Sequence, residues 1–173
     1  MTPAELERND FLTIAVHEVA HALQLLTCRG IDILRNPQGA SREHRVFSGK
    51  TSFLEEVTPA IAIAGELANH LHNRFIEDHA RPDWPEGFKF QADDFINVLQ
   101  MEMDSENLSA TDSIELRNLS LDELYPLAED VAATLRDQWA DLLRIVGILV
   151  AQLEEYPTSQ VYGFTEWQWR GLA

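Results

Sequence analysis

Asp10-Phe11-Leu12-Thr13-Ile14-Ala15-Val16-His17-Glu18-Val19-Ala20-His21-Ala22-Leu23-Gln24 is the stretch on which the reading of the whole chain turns. Its apolar residues recur at helical spacing. Just upstream, Thr2-Pro3-Ala4-Glu5 is a capping box with proline at the first helical position, where a missing N–H costs nothing. A helix is therefore predicted from Pro3 to about Leu26, with Gly30 as its stop. On the wheel, Leu12, Val16, Val19, Leu23 and Leu26 gather opposite the two histidines, and Ile14 and Leu25 flank the histidine face. Such a helix is wrapped on most sides and presents ionisable groups in one narrow sector.

That sector carries chemistry. Residues i and i+4 of a helix differ by about 40° in azimuth, so His17 and His21 leave the same face one turn apart. Two neutral imidazole nitrogens so placed can take adjacent corners of a tetrahedral zinc site. Glu18 lies beside them on the wheel, able to reach a metal-bound water without being a ligand, as a general base must. The competing explanation is chance register on a solvated helix, and the apolar surroundings speak against it. A catalytic zinc site needs three protein ligands and an open position. From the residues alone, Glu66, His70, Asp93 and Asp94 are all candidates for the third.

Beyond the first helix, residues 31–53 change character. Ile31-Asp32-Ile33-Leu34, a turn at Asn36-Pro37-Gln38-Gly39 and Arg45-Val46-Phe47 predict a small hairpin or short sheet. Helix resumes after Phe53, with Pro59 near its start and Ile61, Ala64, Leu67, Ala68, Leu71 and Phe75 at helical spacing. A loop at Ala80–Gly87 precedes a shorter helix from Gln91 to Met103, and residues 104–119 read as irregular. Ser120-Leu121-Asp122-Glu123 is a second capping box, opening a long helix that Pro157 ends. The tail with Tyr162, Phe164, Trp167 and Trp169 reads as a cap on the core. His44, His70, His72 and His79 read as surface or satisfied histidines, and His70 and His72 point about 160° apart on a helix. The Arg45–Thr51 segment is a candidate edge for holding an extended peptide.

Bulk composition narrows the function classes. The length of 173 residues fits one domain, 1–173. Thirteen basic against 29 acidic residues give a net charge of −16, which repels a phosphate backbone and excludes nucleic acid as an expected partner. The acidity serves solubility or, on a sharper reading, a preference for basic peptides. No apolar run approaches the roughly 20 residues needed to span a bilayer. No signal peptide is visible, and the single cysteine, Cys28, rules out an intrachain disulfide. A soluble, cytoplasmic protein is the expectation.

Two downstream segments resemble a known family. Ala62-Ile63-Ala64-Gly65-Glu66-Leu67-Ala68-Asn69-His70-Leu71 is similar to the helix following the active-site helix in the peptidase domain of FtsH, the membrane-anchored AAA+ protease. There a glycine is followed by small residues and paired glutamates. Gln91-Ala92-Asp93-Asp94-Phe95 resembles that family's Ala-Asn-Asp-Ile segment, whose Asp is the third zinc ligand. The resemblance implies Asp94 as that ligand, with Asp93 in the place of the Asn. It covers residues 11–103 in element order. Asn69 and His70 depart from the paired glutamates, and the chain lacks a Gly-rich phosphate loop, an AAA+ module and a membrane anchor, so it resembles a stand-alone peptidase domain.

The expectation is thus an α+β, mainly helical, zincin-like fold with a small β-sheet beside the active-site helix. The expected function is zinc-dependent peptide-bond hydrolysis, with His17, His21 and Asp94 on Zn2+, Glu18 as base, and a peptide or protein as substrate. The rivals are a zincin-derived binding or regulatory module without peptidase activity and a narrow regulatory protease that cuts a single partner. Oligomeric state is left open.

Overall fold

Thr2 caps the first helix as its sequence predicts: its hydroxyl accepts from the Glu5 N–H at 3.2 Å while the Glu5 carboxylate accepts from the Thr2 N–H at 2.9 Å. The helix, α1 (Pro3–Gln24), stops where Leu25 turns extended. The computed structural model describes residues 2–36, 46–105 and 115–172. After α1 come β1 (Cys28–Arg35), β2 (Phe47–Phe53), α2 (Pro59–His79), α3 (Ala92–Asp104), α4 (Leu121–Glu155), β3 (Val161–Thr165) and α5 (Glu166–Leu172). The architecture is mainly helical with a three-stranded antiparallel sheet in the order β2-β1-β3. The described residues fall into two compact units, Met1–Glu55 with Asp141–Ala173 and Glu56–Ala140, and the division lies within α4.

In the first unit the sheet follows a period of two. Ile31 and Ile33 are fully buried while Asp32 and Leu34 point outward. Register places Thr51 and Phe164 beside Ile31, and Gly49 and Tyr162 beside Ile33, so these residues share the inner face. α1 packs on β1 and β2, and α5 on β1 and β3. Phe11 of α1 meets Phe47 and Tyr162 edge-on at centroid distances of 5.2 and 5.3 Å. Full burial of such a ring is worth about 1.5–3 kcal/mol. The Asp10 carboxylate accepts from the N–H groups of both Val46 and Phe47, each at 2.8 Å, which fixes where β2 begins. Arg35 ties the unit together. Its guanidinium donates to the Glu7 carboxylate, to the Ser159 and Pro157 carbonyls, and to the Tyr162 hydroxyl, and it lies 4.8 Å from the centre of the Phe47 ring. At the far edge, the Gln152 amide donates to the Gly163 carbonyl at 3.0 Å and accepts from the Gly163 N–H at 2.9 Å.

The second unit is built on α2, α3 and the first part of α4. Thr58 caps α2, Pro59 begins it, and Ile61, Ala62, Ile63, Ala64, Leu67, Ala68, Leu71 and Phe75 are buried. Phe75, Trp84, Phe88 and Trp139 form an edge-to-face cluster, and the Trp139 indole donates to the Pro82 carbonyl at 2.8 Å. Ser120 and Glu123 form the second capping box.

The structure departs from the sequence reading at several points. The tail contributes a strand, β3, rather than only a cap: Tyr162 and Phe164 are buried within it, Trp169 is buried in α5, and Trp167 is 81% exposed. Gly30 lies inside β1 with φ +138° rather than at a helix stop, and a Cβ there would meet the Phe164 carbonyl oxygen at 2.5 Å. Leu26 lies beyond the helix and is 93% exposed, whereas Phe11, Ala15 and Ala22 join Val16 and Val19 in the core. His72 is buried rather than superficial. The turn at residues 37–39, Arg45 and His44 lie outside the described residues.

Candidate functional site

α1 carries His17, Glu18 and His21 within two turns and brings the two histidines together. The two imidazoles meet edge-on, ring centroids 4.5 Å apart and planes at 81°, with Nε2 of one 2.9 Å from Nε2 of the other. In that contact one nitrogen donates and the other accepts, which fixes complementary tautomers. His21 is 9% exposed and His17 half-buried. Two nitrogens about 2.0–2.1 Å from a tetrahedral zinc ion lie about 3.3 Å apart, so the pair would chelate after a small ring rotation and a tautomer change that moves the donor's proton from Nε2 to Nδ1. As two of a zinc ion's ligands, this pair fits.

Glu18 points toward the sheet. Its Oε2 accepts a hydrogen bond from the Thr51 hydroxyl at 2.5 Å, and the same hydroxyl lies 3.3 Å from the Glu18 main-chain oxygen. Gly49 faces the same side chain. A Cβ at position 49 would sit 2.6 Å from Glu18 Cγ, 2.7 Å from Ile14 Cγ2 and 2.9 Å from Glu18 Oε1. Glu18 is 9% exposed, an unusual position for a carboxylate on a plain surface helix. Thr51 and Gly49 were not singled out as site residues by the sequence. The signal for them is the alternation Phe47, Gly49, Thr51 along β2, which places all three on the inner face.

The other candidate ligands belong to the second unit. Asp94 is exposed in the first turn of α3, 3.7 Å from the Arg74 guanidinium, which also holds Asp78 at 3.0 Å. Asp93 accepts from the Tyr125 hydroxyl at 2.5 Å, and this bond raises the Tyr125 pKa above its ordinary value. Glu66 is half-buried on α2 and, with Asn69, His70, Arg74 and Glu102, lines a cavity of about 220 Å3. Burial holds the His70 pKa below its ordinary value and Arg74 adds to this, while Asp94 and Glu102 act the other way. Among the described residues no group of three or more His, Cys, Asp or Glu side chains is placed to hold a metal ion. The geometry therefore pairs His17 with His21, directs Glu18 to Thr51 and Gly49 on β2, and selects no third ligand among the described residues. Burial raises the Cys28 thiol pKa, which suits an inert, packed cysteine. No helix of the described residues is long and apolar enough to cross a membrane.

Comparison with protein-family models, with curated proteins and with solved structures gives no match.

Proposed function

We propose that the chain is a zinc-dependent peptidase with a zincin-like active-site helix. The observation that carries this reading is the convergence of the His17 and His21 Nε2 atoms on a helix whose neighbouring Glu18 is buried and held by Thr51. His17 and His21 would hold the metal, and Asp94 is the third ligand that the FtsH-like resemblance implies. Zinc bound there would lower the pKa of its water and polarise the scissile carbonyl. Glu18 accepts the proton of the attacking water and returns it to the leaving amine, so that the amide is cleaved by net addition of water. β2 is an edge strand of the sheet and carries Gly49 and Thr51 against Glu18, so an extended peptide paired to β2 would run past the base.

A second reading, a binding module of zincin descent without hydrolytic activity, is favoured by the Asp94–Arg74 pair, which gives that carboxylate a partner of its own. One experiment separates the two. Purified protein is assayed for zinc and then incubated with a peptide library, with added zinc or with chelator. The peptidase reading requires cleavage that the chelator abolishes, that zinc restores and that Glu18→Gln loses. Stoichiometric zinc without cleavage of any peptide establishes the binding module instead.

A further inference from the structure

We infer that Thr51 and Gly49 are positioning residues that present Glu18 to the reacting water in one rotamer. The inference rests on the peptidase reading. A glutamate side chain has three torsions, and holding it in one rotamer costs on the order of 1–2 kcal/mol of entropy. Here the strand supplies that ordering from two neighbouring inner-face positions. The Thr51 hydroxyl takes Oε2, and the empty side of Gly49 receives Cγ and Oε1. Gly49 is not among the glycines with positive φ, so its backbone does not call for glycine; the space occupied by Glu18 and Ile14 does.

The division of labour has a physical rationale. General-base catalysis needs the carboxylate within hydrogen-bond reach of its proton, and a displacement of about 1 Å can cost on the order of a hundredfold in rate. Glu18 sits on α1 and its restraints sit on β2, so α1 alone does not fix where the carboxylate goes. Asp10, on the same helix, holds the start of β2 through Val46 and Phe47, and so helps set the register that brings residues 49 and 51 opposite Glu18.

The test is steady-state hydrolysis of a cleaved library peptide by zinc-loaded wild type, Thr51→Val, Thr51→Ser and Gly49→Ala. Valine matches threonine in shape and lacks the hydroxyl. Thr51→Val is expected to lose roughly tenfold or more in kcat with KM and zinc content unchanged, and Thr51→Ser to restore kcat to within about twofold of wild type. Gly49→Ala loses kcat in the same way. In a Glu18→Gln background, Thr51→Val changes nothing further, because its effect runs through Glu18. Should Thr51→Val fail to fold, Thr51→Ala supplies the same comparison. A valine or alanine variant with wild-type kcat overturns the positioning role while leaving the peptidase reading intact. Zinc-loaded wild type that cleaves no peptide overturns the peptidase reading itself and this role with it.

Discussion

Replacing Arg35 by methionine removes a hub while keeping the length and apolar character of the stem. The Arg35 side chain is only 17% exposed, and its guanidinium serves four oxygen acceptors: the Glu7 carboxylate, the Ser159 and Pro157 carbonyls and the Tyr162 hydroxyl. It also covers the Phe47 ring. Hydrogen bonds to a charged group are worth about 1.5–3 kcal/mol each, but bonds sharing one donor group do not add. Truncating one partner of a well-buried ion pair costs about 3–5 kcal/mol. Glu7 is 31% exposed, so water recovers part of its loss, and the net cost is placed at about 2–4 kcal/mol. At about 2–4 °C per kcal/mol for a chain of this size, the melting temperature should fall by roughly 5–15 °C. Urea and thermal unfolding followed by circular dichroism read this directly. Arg35→Lys should recover less than half of the loss, because one ammonium cannot span four acceptors set around a planar fork. A methionine variant within about 0.5 kcal/mol of wild type would refute the view that this guanidinium holds α1, β1 and the chain before β3 together.

His21→Ala should lose most of the zinc, and the His17→Ala/His21→Ala double variant essentially all of it; elemental analysis showing stoichiometric metal in the double variant would end the metal-site proposal. Asp94→Asn should weaken zinc affinity sharply, while Asp93→Asn and Glu66→Gln leave it nearly unchanged; a selective loss at Glu66 would move the site to a two-His, one-Glu set. Burial of His72 holds its pKa below the ordinary 6.5, so the unfolded chain binds its proton first as pH falls. The stability tied to neutral His72 is complete above about pH 6.5 and declines as the solution is acidified through the range below it. Melting temperatures measured from pH 7.5 down to pH 5.5 should fall less steeply in His72→Gln than in wild type, and an identical slope would remove His72 as a cause.

The helices were legible because their signals are local. Thr2, Thr58 and Ser120 cap them, Pro3 and Pro59 open two of them, and the apolar spacing through α2 and α4 is regular. β1 and β2 were legible as a small hairpin or short sheet, from Ile31-Asp32-Ile33-Leu34 on one side and Val46-Phe47 on the other. β3 was not: five residues with Gly163 at their centre pair with a strand near the other end of the chain, and nothing local announces that register. Gly30 misled for a related reason, since the positive φ that favours glycine serves a close crossing by β3 rather than a helix end. The contact of His17 with His21 could be read because one helical turn brings their rings together. Thr51 and Gly49 reach Glu18 only across a helix–strand contact whose register the sequence does not encode locally. Apart from the resemblance, Asp93 and Asp94 look alike as first-turn acids, and the structure separates them by giving Tyr125 to one and Arg74 to the other.

The double hydrogen bond from Gln152 to Gly163 bears on how this sheet behaves toward other chains. A bare edge strand is a template for pairing with any extended segment, and proteins that leave one exposed risk edge-to-edge aggregation. At β3 the side-chain amide imitates a neighbouring strand, offering a donor and an acceptor to the two main-chain groups of Gly163. Unwanted growth of the sheet on that side must first displace Gln152. Among the described residues β2 has only the Asp10 carboxylate in a comparable role, and that blocks its first residues alone. Gln152→Ala should therefore change solubility before it changes stability, leaving an acidic chain that self-associates through the border which the amide now keeps closed.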